Sequence, residues 1–149
     1  HKDEIAYFQF SSGTTGRPKV TQISWEALFN QLVSFGNHIQ IKQQHVFVGW
    51  IPFNRDMGLI LQLFIPLFYA KHSVNIPPAK WVKNPAILLK AVSHFSGTFS
   101  AMPSFAFRFC ARVVKTRSLA GVDLSSWHTV ICSSERINIQ DSGHIYIAF

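Results

Sequence analysis

Charge is in short supply in this chain. Asp, Glu, Lys and Arg make up 14% of its 149 residues, about half the usual share. A self-contained domain of this size has much surface to solvate, so part of the surface is expected to be covered by more protein. Acid is scarcer still: 7 Asp and Glu stand against 14 Lys and Arg, a formal net charge of +7. That balance suits nucleic acid, a membrane surface or an anionic small molecule. The basic residues are scattered, and only Arg108 to Arg117 forms a stripe, which reads as a solvated helix face complementing a C-terminal dipole. No nucleic-acid module signature accompanies them, so no nucleic acid is expected as partner. Cysteine is limited to Cys110 and Cys132. One disulfide is the most they can form, and their apolar surroundings favour two reduced, buried thiols of a cytosolic protein. No His or Cys lies at ligand spacing from them, so no metal site is expected. The longest apolar stretch, Met57 to Ala70, is interrupted by Gln62 and Pro66 and is too short for a membrane span. The opening HKDEIAYF lacks the basic region and apolar run of a signal peptide. A cytoplasmic location is the expectation.

Apolar residues, by contrast, make up 48%, with 14 Phe. That excludes intrinsic disorder and supplies a core. Ile5 to Phe10 reads as a short buried strand, and Val20 to Ile23 as a second. Ser24 is a good N-cap with Glu26 in the first turn. Leu28, Leu32 and Phe35 share a helical face, and Gly36 can end that helix. Val46 to Trp50 is strongly β-like. Pro52 to Asp56 is a loop, with a buried helix starting near Asp56. Ser73 to Ile76 is a strand closed by Pro77-Pro78. Asn84-Pro85 caps a helix with Leu88, Ala91, Val92 and Phe95 inward. Thr98 to Ala101 is a strand. Pro103 opens a helix with Ala106, Phe109, Cys110 and Val113 inward, and Thr129 to Cys132 is the last strand. The alternation predicts an α/β fold with a largely parallel sheet. Periodicity weakens after Ile137, and the chain ends within an apolar run, IYIAF, where a natural domain rarely stops. Residues 138–149 are therefore expected to be a truncated or unmatched tail.

Ser11-Ser12-Gly13-Thr14-Thr15-Gly16-Arg17-Pro18-Lys19 is the most informative segment. Glycines let backbone N–H groups turn toward an anion. Hydroxyls donate to phosphate oxygens, and Arg17 and Lys19 supply positive charge. It is not a Walker loop, because Pro18 precedes Lys19 and Val20 follows it. Composition alone fits a triphosphate site and a solvated Ser/Gly turn equally well.

The order of residues separates the two. Phe8 to Lys19 closely resembles the phosphate-binding signature of the adenylate-forming superfamily, which includes acyl-CoA synthetases, peptide adenylation domains and luciferases. Trp50-Ile51-Pro52-Phe53-Asn54-Arg55-Asp56-Met57-Gly58-Leu59-Ile60 resembles the Asp-Met-Gly-Leu segment of fatty-acyl-AMP ligases. Asn84-Pro85 through Ser93 resembles the helix that follows it. Ala101 to Phe107 with Cys110 resembles their Pro-Asn-Phe-Ala segment. Asp123 to Trp127 and Ser133-Ser134-Glu135 resemble their Asp-Leu-Ser-Ser-Trp and Gly-Ala-Glu pair. The matches run in the family's order over most of the chain, with long-chain acyl-CoA synthetases the neighbouring branch.

The resemblance implies that residues 1–137 are part of the N-terminal adenylation (AMP-binding) domain of such a ligase. Ser11, Ser12, Gly13, Thr14, Thr15, Gly16 and Lys19 would hold the ATP phosphates. Lys19 and Arg55 would be the catalytic cations. Ser133, Ser134 and Glu135 would border the adenine, although an ordinary loop after a strand reads the same way. Asp56, Met57, Gly58, Ser104 and Phe105 would face the acyl group, with Leu59, Ile60 and Phe64 suited to an aliphatic tail; core packing explains these apolar residues as well. ATP and Mg²⁺ would be the cofactors. A fatty acid or other carboxylate would be the substrate, carrier protein or CoA the acceptor, and the remainder of the parent enzyme a partner. Val20 stands where the family usually has Gly, Trp25 and Arg55 where it has His, and Ser133-Ser134 where it has Gly-Ala. Arg keeps positive charge but does not titrate as His does. The aromatic-Gly-x-Thr-Glu stretch, the ribose-binding Asp and the C-terminal domain's Lys have no counterpart here. Little or no adenylation by the isolated chain is expected. The alternative is a non-catalytic adenylation-like module that binds nucleotide or a partner.

Overall fold

The computed structural model describes residues 4–11 and 19–133. The chain divides into two units, residues 1–41 and 42–149.

In the first unit, β1 (Ile5–Ser11) and β2 (Lys19–Ser24) form an antiparallel pair in which Ser11 lies opposite Lys19 and Phe10 opposite Val20. The two strands thus form a hairpin. β1 is not the buried strand that its composition suggests. Phe8 and Phe10 are 54% and 66% exposed and Val20 52%, because the face they share in this ribbon has no covering layer among the described residues. Helix α1 (Trp25–His38) starts as expected: the Ser24 hydroxyl accepts from the Ala27 N–H at 3.1 Å, and Glu26 lies in the first turn. Leu28 and Leu32 are buried. Gly36 does not end the helix. The stop comes later, at Gln40 with φ 50°. There Ile41 N–H bonds Gly36 O and Gln40 N–H bonds Asn37 O, the paired bonds that satisfy terminal carbonyls when one residue turns left-handed.

The second unit is a sheet with strand order β4-β3-β5-β6. Its strands are β3 (Val46–Gly49), β4 (His72–Asn75), β5 (Phe99–Pro103) and β6 (Thr129–Ser133), all parallel. The expected α/β class with a largely parallel sheet holds here, and the antiparallel hairpin of the first unit is a separate two-stranded sheet. Between β3 and β4 run α2 (Asp56–Gly58), a π-helical stretch (Leu59–Phe64) and α3 (Ile65–Phe68). Backbone angles stay helical across the junctions at Gly58, Leu59, Phe64 and Ile65. Pro66 explains the irregularity: with no N–H it cannot serve the carbonyl of Gln62 four residues back. The Ser73 hydroxyl serves it instead, at 2.8 Å.

Helices α4 (Pro78–Lys83) and α5 (Ala86–Phe95) precede β5, and α6 (Ser104–Val113) follows it. The short α4 is absent from the sequence reading, since Pro77-Pro78 looks like a terminator; Pro78 instead takes the first helical position, where a missing N–H costs nothing. The cap residue of α5 is Pro85, which makes no side-chain cap bond; the Asn84 backbone carbonyl accepts from Ile87. Leu88 and Val92 are fully buried, but Phe95 and Val113 are exposed, so the apolar faces drawn for α5 and α6 end a turn early.

Trp50, Trp81, Leu88, Val92, Met102, Ala106 and Trp127 form the core with Val48 and Ile76. Trp50 and Trp81 stack at 3.6 Å and 3°. Buried Ser100 donates to Val48 O at 2.7 Å and accepts from the Trp127 indole N–H at 3.0 Å. Thr98 Oγ1 accepts from Val46 N–H at 2.9 Å. Ser100→Ala leaves the indole donor buried and unpaired, at a cost of about 1–3 kcal/mol. Urea unfolding is expected to show this, and to show that adding Trp127→Phe costs less than that change does alone.

Candidate functional site

In an open parallel sheet, ligands collect outside the carboxyl ends of the strands, where neighbouring connections diverge. Here the chain leaves β3 toward β4 on one side, then returns to place β5 on the other. The divergence therefore falls between β3 and β5. A cleft of about 610 Å³ opens at that point, lined by Trp50, Ile51, Pro52, Arg55, Asp56 and Met57 from beyond β3 and by Pro103 and Phe105 from the end of β5.

The linings differ in chemistry. Trp50, Ile51, Pro52, Met57, Pro103 and Phe105 give apolar walls, and Arg55 with Asp56 gives a charged edge. Arg55 lies at the entry to α2: its N–H bonds Pro52 O at 3.1 Å and its carbonyl accepts from Leu59 N–H at 2.8 Å. The Arg55 backbone is thus tied to the loop that forms one wall. Phe105 is 44% exposed and meets the Trp50 ring edge-on at 6.3 Å.

Four of the residues singled out in the sequence, Arg55, Asp56, Met57 and Phe105, meet in this cleft. Gly58 and Ser104 do not line it. Both are buried behind the wall. A Cβ on Gly58 would lie 2.3 Å from Pro52 O and 2.7 Å from Ile51 O, so this glycine lets the helix close against the loop. Leu59, Ile60 and Phe64 are half-buried on the helix away from the lining. Lys19 is exposed at the start of β2, opposite Ser11, in the first unit. Ser133 pairs with Pro103 at the end of β6, which puts its backbone at the same sheet edge as the cleft. Ser12, Gly13, Thr14, Thr15, Gly16, Ser134 and Glu135 lie outside the described residues. Trp50 and Pro103 were missed as lining residues. Their signal was position alone: each stands at the carboxyl end of a β-rich run.

Gln62 braces the wall from behind. It is 3% exposed, and its amide donates to Ile51 O at 3.3 Å. A Cβ on Gly49 would fall 2.1 Å from Gln62 Oε1, so Gly49 makes room for this side chain at the end of β3. A second cavity, about 270 Å³, is lined by apolar residues including Leu88, Met102, Leu124 and Trp127 together with Cys110. Burial there pushes the Cys110 thiol up to about 11. Both cysteines are half-buried rather than fully buried. No helix of the described residues is long and apolar enough to cross a membrane.

Comparison with known proteins supplies the family. The sequence profile of the AMP-binding enzyme family matches residues 1–142, and the chain belongs to that family. Within it, the similarity is to fatty-acyl-AMP ligases. The chain is 30% identical over 137 residues to the medium-chain-fatty-acid–[acyl-carrier-protein] ligase TtuA of Teredinibacter turnerae, covering 92% of this chain and 21% of that protein. It is 33% identical over 139 residues to the long-chain-fatty-acid–AMP ligase FadD23 of Mycobacterium tuberculosis, covering 89% and 24%. Among solved structures, the fatty acyl-adenylate ligase of Legionella pneumophila, in complex with acyl adenylate and pyrophosphate, superposes with a TM-score of 0.93 at 28% identity. That match covers 99% of this chain and 26% of that one. McyG, bound to phenylalanyl-adenylate, shares the fold at a TM-score of 0.87 and 19% identity, over 96% of this chain and 22% of its own. The chain thus spans about a quarter of the length of the relatives it matches.

Gly58→Ala is expected to cost about 1–3 kcal/mol and to push the Ile51–Pro52 wall outward, read as a lower thermal midpoint and altered Trp fluorescence. The folded state also holds the Cys110 proton more tightly than the unfolded chain, whose thiols titrate near about 8.5. The stability this gives is complete below that pH and is lost as pH rises toward about 11. Alkylation by iodoacetamide at pH 8 is expected to be slower at Cys110 than in the urea-unfolded chain.

Proposed function

We propose that this chain supplies the ATP-gripping turn and an acyl-binding wall of a ligase that converts a fatty carboxylate and ATP into acyl-AMP and pyrophosphate, for transfer to a carrier-protein thiol or to CoA. The observation that carries the reading is the cleft at the β3–β5 divergence, where apolar walls and the Arg55 cation border one space. A carboxylic acid with an aliphatic tail has the matching pair of properties: an anionic head for the cation and a chain for the walls.

In this reading Ser11, Ser12, Gly13, Thr14, Thr15 and Gly16 cradle the polyphosphate through hydroxyls and backbone N–H groups, and Lys19 adds its charge. A carboxylate oxygen attacks the α-phosphorus, the bond to the bridging oxygen breaks, and pyrophosphate leaves with that electron pair. Charge builds on phosphate oxygens during this step, so positioned cations are the main catalytic need. Lys19 and Arg55 are assigned that role, with Ser133, Ser134 and Glu135 bordering the adenine. Asp56, Met57 and Phe105 contact the acyl chain, while Gly58 and Ser104 shape its wall from behind. Mg²⁺ is expected as the companion of ATP. Among the described residues no three His, Cys, Asp or Glu side chains converge on a point that would hold it. The cytoplasmic setting expected from the sequence is part of this reading.

Incubated alone with ATP, Mg²⁺ and dodecanoate, the chain is expected to release negligible pyrophosphate; brisk release would refute that. In a full-length ligase carrying this segment, Lys19→Ala is expected to lower kcat/KM roughly 100-fold. Phe105→Ala should raise KM for the fatty acid about 10-fold with little change in KM for ATP. ATP binding without turnover in that protein would favour a non-catalytic module, a reading to which Val20, Trp25 and Arg55 lend weight.

A further inference from the structure

Behind the cleft wall the hydrogen bonds run as a relay. Asn75 Nδ2 donates to the Ser73 hydroxyl at 3.0 Å, and that hydroxyl donates to Gln62 O at 2.8 Å. The Gln62 amide donates to Ile51 O at 3.3 Å, and Arg55 N–H donates to Pro52 O at 3.1 Å. From the helix, Gln62 reaches back 11 residues to Ile51, which closes the loop and the helix entry into one ring. Arg55 is the one cation among the described residues that line the cleft.

Stability alone explains this relay poorly. Gln62 is 3% exposed, and its Oε1 has no hydrogen-bond partner among the described residues. Leaving a buried acceptor unpaired costs at least as much as one long neutral bond returns. Gly49 gives up a side chain to make room for the same amide. Met, equally long but without a donor, would exchange one unpaired acceptor, Oε1, for another, Ile51 O, at little net cost. It would lose direction: an amide N–H fixes where the facing carbonyl stands, and a thioether does not.

We infer that Gln62 is a positioning residue: its amide sets where the Ile51–Pro52 loop stands and so holds the Arg55 cation at the cleft, where it selects a carboxylate head over a neutral head on the same tail. The inference rests on the ligase reading, which supplies the anionic head. A charge-assisted hydrogen bond is stronger than a neutral one, but it depends on aim. Arg55 is exposed, so its aim comes from its backbone anchor. That anchor is the Pro52 carbonyl, next in the chain to the carbonyl that Gln62 holds.

The test titrates the full 149-residue chain with decanoate and with 1-decanol at pH 8, where the acid is ionised. Trp fluorescence reads binding, since Trp50 lines the cleft, and circular dichroism checks the fold of each variant. The parent is expected to prefer decanoate by about 10-fold, and Arg55→Gln to abolish that preference. Gln62→Met is expected to reduce the preference to about 2-fold while changing decanol affinity less than about 2-fold. Because Gln62 acts through Arg55, adding Gln62→Met to Arg55→Gln should lower decanoate affinity no further. Ser73→Ala, one step up the relay, should shift the preference in the same direction by less. Should Gln62→Met not fold, the Ser73→Ala ratio decides, and an unchanged preference there overturns the inference. Equal weakening of both ligands by Gln62→Met marks a merely structural role and overturns it, as does an additive loss in the double variant. A preference lost in Arg55→Gln but kept in Gln62→Met sinks the positioning role and leaves the ligase reading standing. A parent chain that binds neither ligand, or binds both equally, overturns the positioning role and counts against the ligase reading as well.

Discussion

The cleft exists because β3 has β4 on one side and β5 on the other, so that two loops part above it. The β3–β5 union is thin: Phe47 opposite Phe99 is its one register pair. Side chains supply what the backbone ladder lacks. Thr98 hydrogen-bonds across to Val46, and Ser100 bridges Val48 O and the Trp127 indole. Phe47 and Phe99 pack at 4.7 Å. A buried polar bridge of this kind is stabilising only when every member is satisfied, which makes these small hydroxyls more consequential than their size suggests.

The wall of the cleft rests on a second constraint, the helix from Asp56 to Phe68. Pro66 withdraws one backbone donor, the helix relaxes into a π-helical stretch, and Ser73 takes up the freed Gln62 carbonyl. The same residue then turns its amide to Ile51 O. One irregular turn thus links β4, the end of β3 and the loop bearing Arg55. π-helical segments recur at functional sites, and here the segment follows directly on Gly58, which meets the Ile51–Pro52 backbone without room for a Cβ.

The hairpin is where a local reading and the folded chain part most clearly. Phe8 and Phe10 look like core residues because apolar runs of that length usually are. In a two-stranded ribbon one face can remain uncovered, and theirs is. Ser11 and Lys19, which flank that Ser/Gly/Thr segment in the sequence, are register partners.

Amino-acid order alone determined the family signature, the alternation of strands and helices, the Ser24 cap, and Arg55, Asp56, Met57 and Phe105 as residues to watch. These are short-range properties, written in side-chain chemistry, period and spacing. Tertiary structure decided that Trp50 and Pro103, distant in the chain, share a wall, that Gly58 and Ser104 stand behind it, and that β3 takes β5 as its neighbour. Pairing of remote strands depends on which long loops close and which faces then fill, and neighbouring residues carry no record of that choice.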